Sequence, residues 1–132
     1  MAVTGQSLKR LYLTMLRFFK DSGGAYMCLD AFTSHDLLES LFDGRVIIVR
    51  DATGNIVSIT NIWKIHEADL DAVAQGDKPN DVSTGNIVYI ADHAGRGGYP
   101  AMIRKLKNEF AVGCWHHKQK SAEHFRIYRS AQ

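Results

Sequence analysis

The sequence has only two cysteines, Cys28 and Cys114, far apart and in no CxxC pair. Lone thiols of this kind suit a reducing compartment rather than a disulfide framework. Both lie in apolar runs, "AYMCLDAF" and "VGCWHHK", and read as small buried hydrophobes. No run of 18 apolar residues is present, so no membrane span is expected. The opening "MAVTGQSLKRLYLTMLRFF" lacks the continuous apolar stretch and small-residue cleavage site of a secretory signal. The expected location is therefore cytoplasmic. Repeats, low-complexity tracts and long linkers are also missing. At 132 residues the chain is expected to be a single domain, residues 1–132, whose core needs no disulfide or metal staple.

Net charge is small, at +2, too near balance to imply nucleic-acid binding by charge alone. The distribution is uneven. Between Asp69 and Asp92 stand five aspartates and one lysine, whereas from Arg96 onward the only acidic residues are Glu109 and Glu123. A basic C-terminal third reads either as a solvated face or as the seat of an anionic ligand. Its "WHHKQKSAEHFRIYR" interleaves basic and aromatic residues as single-strand binders do, but the overall charge argues against nucleic acid as a partner.

What is present is a clear order of elements. Leu8, Leu11, Tyr12, Met15, Leu16 and Phe19 recur at helical spacing, and "DSGG" at 21–24 stops that helix. "AYMCLDAF" reads as a strand or an extended approach, after which Ser34 caps a second helix through "HDLLESLF". The stretch "RVIIVRDATGNIVSITNIWKI" is the strongest signal. Two runs rich in Val, Ile and Thr flank a turn in which Gly54 and Asn55 tolerate positive φ, which predicts a β-hairpin with Trp63 in the core. "HEADLDAVAQG" predicts a short helix. "NIVYIAD" predicts a strand inside the sheet. Pro100 opens a helix buried through Met102, Ile103, Leu106 and Phe110. Strands at "VGCWHHK" and "FRIYR" complete an α/β (α+β) sandwich with a mixed sheet.

The segment "YIADHAGRGGYPAMIRKL" invites a chemical reading. There is no Walker GxxxxGK[ST], no Rossmann fingerprint in its proper context, and no Ser-His-Asp or Cys-His-Asp order. A strand, a glycine turn and a fresh helix N-terminus nevertheless make a generic anion site. Exposed N–H groups and the positive helix end both favour phosphate.

In this context the chain resembles the GNAT superfamily of N-acetyltransferases, over roughly Arg45 to Arg129. The shared features are a hairpin, a strand, "RGGYPA" opening an amphipathic helix, and two closing strands. The superfamily pattern is arginine or glutamine, two residues, glycine, one residue, then glycine or alanine. Arg96 matches its first position and Ala101 its last. Tyr99 stands at the central glycine, and Pro100 removes one amide. The resemblance implies a GNAT-like mixed sheet with helices on both faces. It also implies an acetyl-CoA or other acyl-CoA cofactor held by Arg96, Gly97, Gly98, Tyr99 and Ala101, and transfer of the acyl group to an amine-bearing protein or small molecule. Some details are similar to the bacterial toxin-activating lysine acyltransferases, which take the acyl group from acyl carrier protein. These carry a helix between hairpin and strand, as "HEADLDAVAQG" is expected to be, and an aspartate ahead of the turn, which Asp92 would match. Their catalytic histidine falls in the region of His35.

Three residues are thus candidates for proton transfer: Asp92, His93 and His35. Asp92 closes a central strand, and His93 has a side chain suited to neutral pH. The competing readings are a turn-capping Asp92, and exposed loop positions for His93 and Arg96. His116 and His117 are adjacent on a strand and point to opposite faces, so they do not share an ion, and no metal site is expected. The alternative to an enzyme is a catalytically inactive module of the same fold, of viral or mobile-element origin, that binds a protein. Tyr99 and Pro100 support it.

Overall fold

The computed structural model describes residues 5–23, 29–117 and 119–130. Helices α1 (Gly5–Asp21) and α2 (Ala31–Asp43) come first, then strands β1 (Val46–Arg50) and β2 (Ile56–Ile65). A 3-10 turn at Glu67–Asp69 leads into the short α3 (Leu70–Ala74), then β3 (Ile87–Gly95), α4 (Tyr99–Glu109), β4 (Val112–His116) and β5 (Phe125–Arg129). The strands form a mixed sheet in sequence order, β1-β2-β3-β4-β5.

Each pairing follows from the connection that makes it. The hairpin pairs β1 and β2 antiparallel from Val46↔Asn61, with a bulge at Val49/Arg50 beside the turn. Asp51 organises that turn: its Oδ1 accepts from the Thr53 N–H at 2.9 Å and the Asn55 N–H at 3.0 Å. The Thr53 hydroxyl, which donates to the same Oδ1 at 2.6 Å, and those backbone bonds hold the Asp51 carboxyl below its ordinary range. Arg96 N–H donates to Val57 O and His93 bonds to Thr60, so the partners run in opposite directions and β2 is antiparallel to β3. The α4 crossover makes β3 and β4 parallel, from Ile87↔Val112 to Ile90↔Trp115. β3 then runs on to Gly95.

The chain packs as two compact units, Met1–Asn61 with His93–Gly98, and Ile62–Asp92 with Tyr99–Gln132. The first has a core of Met15, Phe19, Leu37, Ile59 and Ala94. Met15 and Phe19 come from the stripe that the sequence marks on α1. The core of the second holds Trp63, Ile65, Val73, Val82, Ile87, Tyr89, Ala91 and Cys114. Trp63 is core, as expected.

Two boundaries differ from the sequence reading. α2 starts at Ala31, not beyond Ser34, because Asp30 is the cap: its side chain accepts from the Thr33 N–H at 2.6 Å. Ala31 and Phe32, expected to be extended, are helical; the rest of "AYMCLDAF" up to Cys28 lies outside the described residues. β3 continues past Asp92 through His93 and Ala94, so half of the expected glycine turn is strand.

A polar link inside the first unit fixes α2 on β2. Asn61 is fully buried, and its Nδ2 donates to Asp36 Oδ2 at 2.8 Å. Ser40 Oγ donates to Asn61 Oδ1. Asp36 and Ser40 sit four apart on one face of α2, which places both over the same strand residue. Removing one member strands the others without water. Asp36→Ala is expected to cost about 1–3 kcal/mol in urea unfolding. An unchanged midpoint would show that the link contributes nothing.

Candidate functional site

Alternation along β3 settles which expected site residues work together. Successive side chains leave a strand on opposite faces. Ala94 joins the first unit's core of α1 and α2 residues, so His93 before it leaves the strand on the other face. Asp92 and His93, consecutive on the strand, therefore project in opposite directions. Asp92 is half-buried in the second unit, where its charge adds to burial in pushing the Tyr89 phenol upward.

His93 belongs to the first unit. It is half-buried, and its Nδ1 lies 2.8 Å from the Oγ1 of Thr60, which is fully buried. Burial lowers its pKa, favouring the neutral ring. Thr60 and Ser58 share one face of β2. Ser58 Oγ is buried and, among the described residues, has no hydrogen-bond partner.

The glycine turn lies directly above that hydroxyl. A methyl added at Gly98 would fall on Ser58 Oγ and Cβ, with Val49 Cβ at 3.2 Å. Gly95 has φ +104°, and a Cβ there would collide with Val57 O. Both glycines are required because backbone crosses the end of β2 with no room for a side chain. Arg96 is exposed and commits its N–H to Val57 O at 3.1 Å. Among the described residues, the N–H groups of Gly97 and Gly98 bond to nothing. Gly97 is exposed and Gly98 buried, so it is the Gly97 amide beside an arginine that fits a phosphate group.

Tyr99, half-exposed, and Ala101 open α4 in the second unit. His35 is elsewhere. It sits on the outer face of α2 with 70% of its side chain exposed and meets Glu39 Oε1 at 2.8 Å. α2 packs on the Asn61 face of β2, whereas His93 bonds to Thr60 on the other. The strand thus separates His35 from His93. A cavity of about 530 Å³ lined by Leu16, Arg17, Lys20, Asp21, Leu29 and Ser34 contains none of the expected site residues.

His116 and Cys114 have structural settings. His116 Nε2 is 2.8 Å from Ala74 O and its Nδ1 is 2.7 Å from Tyr89 Oη. A carbonyl only accepts, so Nε2 carries the proton, and in the neutral ring Tyr89 donates to Nδ1. Burial pushes the Cys114 thiol up to about 12, which keeps it protonated and unreactive. Among the described residues, no three His, Cys, Asp or Glu side chains gather as a metal site would require, and no helix is long and apolar enough to cross a membrane.

The partners of His93 and the turn, Thr60 and Ser58, were not candidates from sequence. A hydroxyl in a Val- and Ile-rich strand gives no sign of which residue the sheet will bring to it. No protein-family model matches the chain, and no curated protein shows significant similarity to it.

Two measurements check this geometry. Ser58→Ala removes an orphan hydroxyl and is expected to leave stability unchanged or raise it by about 1 kcal/mol. Gly98→Ala is expected to cost about 1–3 kcal/mol by overpacking, and less in a Ser58→Gly background. Additive effects in that double-mutant cycle would refute the contact. His93 supplies a pH test. Its folded pKa lies below the ordinary value of 6.5, so the unfolded chain takes up the proton first as pH falls. Its contribution to stability is present above about 6.5 and is lost on acidification towards the lower folded value. His93→Gln is expected to flatten that part of the stability–pH curve.

Proposed function

We propose that the protein is a small GNAT-like acyltransferase that moves an acyl group from acyl-CoA, or from acyl carrier protein, to an amine. The observation that supports this most is His93, a half-buried ring inclined to be neutral and held by Thr60, three residues before the glycine turn. Acyl transfer to an amine needs a neutral proton acceptor beside a site for an anionic donor, and His93, Arg96 and Gly97, together in one unit, suit those two roles.

The chemistry assigned to each residue is simple. With Nδ1–H donating to Thr60 Oγ1, His93 Nε2 is the basic nitrogen. The amine nitrogen bonds to the thioester carbonyl carbon, the C–S bond breaks and the sulfur leaves as thiolate. His93 takes the proton that the amine gives up. Arg96 and the exposed amide of Gly97 hold phosphate, which fixes the donor without taking part in bond making. The mixed sheet, with a hairpin first and a parallel β3-α4-β4 unit after it, is the structural feature that supports this reading.

The reading is tested by titrating the protein with acetyl-CoA, longer acyl-CoAs and an acyl carrier protein in a calorimeter, then assaying acyl transfer to amines. One donor is expected to bind. His93→Gln is expected to lower kcat by roughly 10²–10⁴-fold with little change in donor affinity. Arg96→Ala is expected to weaken donor binding about tenfold. If none of these donors binds, the enzyme reading fails.

A further inference from the structure

Helix α2 turns Asp36, Leu37 and Ser40 inward and leaves Ala31, Phe32, His35, Glu39, Phe42 and Asp43 exposed. Those six positions are symmetric about residue 37: 31 mirrors 43, 32 mirrors 42, and 35 mirrors 39. At about 100° per residue, Phe32, His35, Glu39 and Phe42 fall in a stripe about 80° wide, with the two rings about 15 Å apart along the axis. Both are large apolar groups with much of their surface exposed, Phe32 58% and Phe42 66%. Between them lies the His35–Glu39 pair.

A stripe that reads alike from either end is self-complementary about a two-fold axis. We propose that the exposed face of α2 is a dimer interface, occupied by α2 of a second copy lying antiparallel on it. Phe32 packs on the partner's Phe42 and Phe42 on the partner's Phe32. His35 faces the partner's Glu39, and Glu39 faces the partner's His35. Charge complementarity selects this occupant. The hydrogen-bonding pair within each helix is repeated across the axis with its members exchanged, so two copies place an acceptor opposite a donor at both positions. A partner of unrelated sequence would have to supply the mirrored order of aromatic, acid, imidazole and aromatic. One helix face per copy lies at the small end of specific interfaces, so the dimer dissociates on dilution. This inference does not rest on the acyltransferase reading.

Sedimentation equilibrium of the full chain from roughly 10 µM to 1 mM tests it, over the range where a weak dimer dissociates. The mean mass is expected to climb from that of one chain to that of two. His35→Glu sets carboxylates against each other across the axis and is expected to weaken association about tenfold or more. Adding Glu39→Lys to that variant restores an opposite pair, and association is expected to return. Phe42→Ser is expected to leave a monomer. Far-UV circular dichroism checks that each variant keeps its helices. A monomer at every concentration overturns the proposal, as does growth beyond the dimer. A dimer indifferent to both His35→Glu and Phe42→Ser, or one that Glu39→Lys fails to recover, overturns it equally.

Discussion

One buried amide sets the layout of the first unit. Asn61 sits fully buried in a strand, between Thr60 and Ile62. A buried amide left without partners costs more than a missing apolar contact. α2 supplies the partners, Asp36 and Ser40, one turn apart. That requirement fixes the rotation of α2 about its axis. Once it is met, Leu37 must enter the core and the opposite side of the helix must face solvent. The exposed aromatic stripe is thus a by-product of where one polar group had to be satisfied.

The same strand divides the chemistry. Hydroxyls of Ser58 and Thr60 point away from α2, toward the side where His93 and the glycine turn lie. A strand that is polar on both faces is uncommon in a buried position, and each face has its own reason. One side carries a helix clamp, and the other carries the ring and the close-packed turn. The pleat keeps these roles apart without any need for distance.

Much of this was legible in the sequence. Hydrophobic spacing marked α1, α4 and their buried residues, and "DATGN" marked the hairpin turn, because period and turn chemistry are local properties. The start of α2 was misread because two residues, Asp30 and Ser34, are both good caps, and only the fold decides which one meets a free N–H. The site was partly legible. Arg96, Gly97 and Gly98 announced a turn fit for an anion. The opposition of Asp92 to His93 needed only the knowledge that β3 runs on to Gly95. Thr60, Ser58 and Asn61 were not legible, because a polar residue in a strand reveals no partner until the sheet closes.

The strand order has one further consequence. Among the described residues β5 stands last in the sheet, and no strand pairs with its outer side. An open edge is a template on which chains stack into aggregates. "FRIYR" places two arginines on that edge. Arg126 donates to the Glu123 and Phe125 carbonyls, and Arg129 reaches Glu67 Oε1 at 3.5 Å. Charged, sterically bulky groups on an open strand keep other strands from docking there. Part of the basic character of the C-terminal third thus acts as a guard on the edge of the sheet, keeping copies of the chain from polymerising through their backbones.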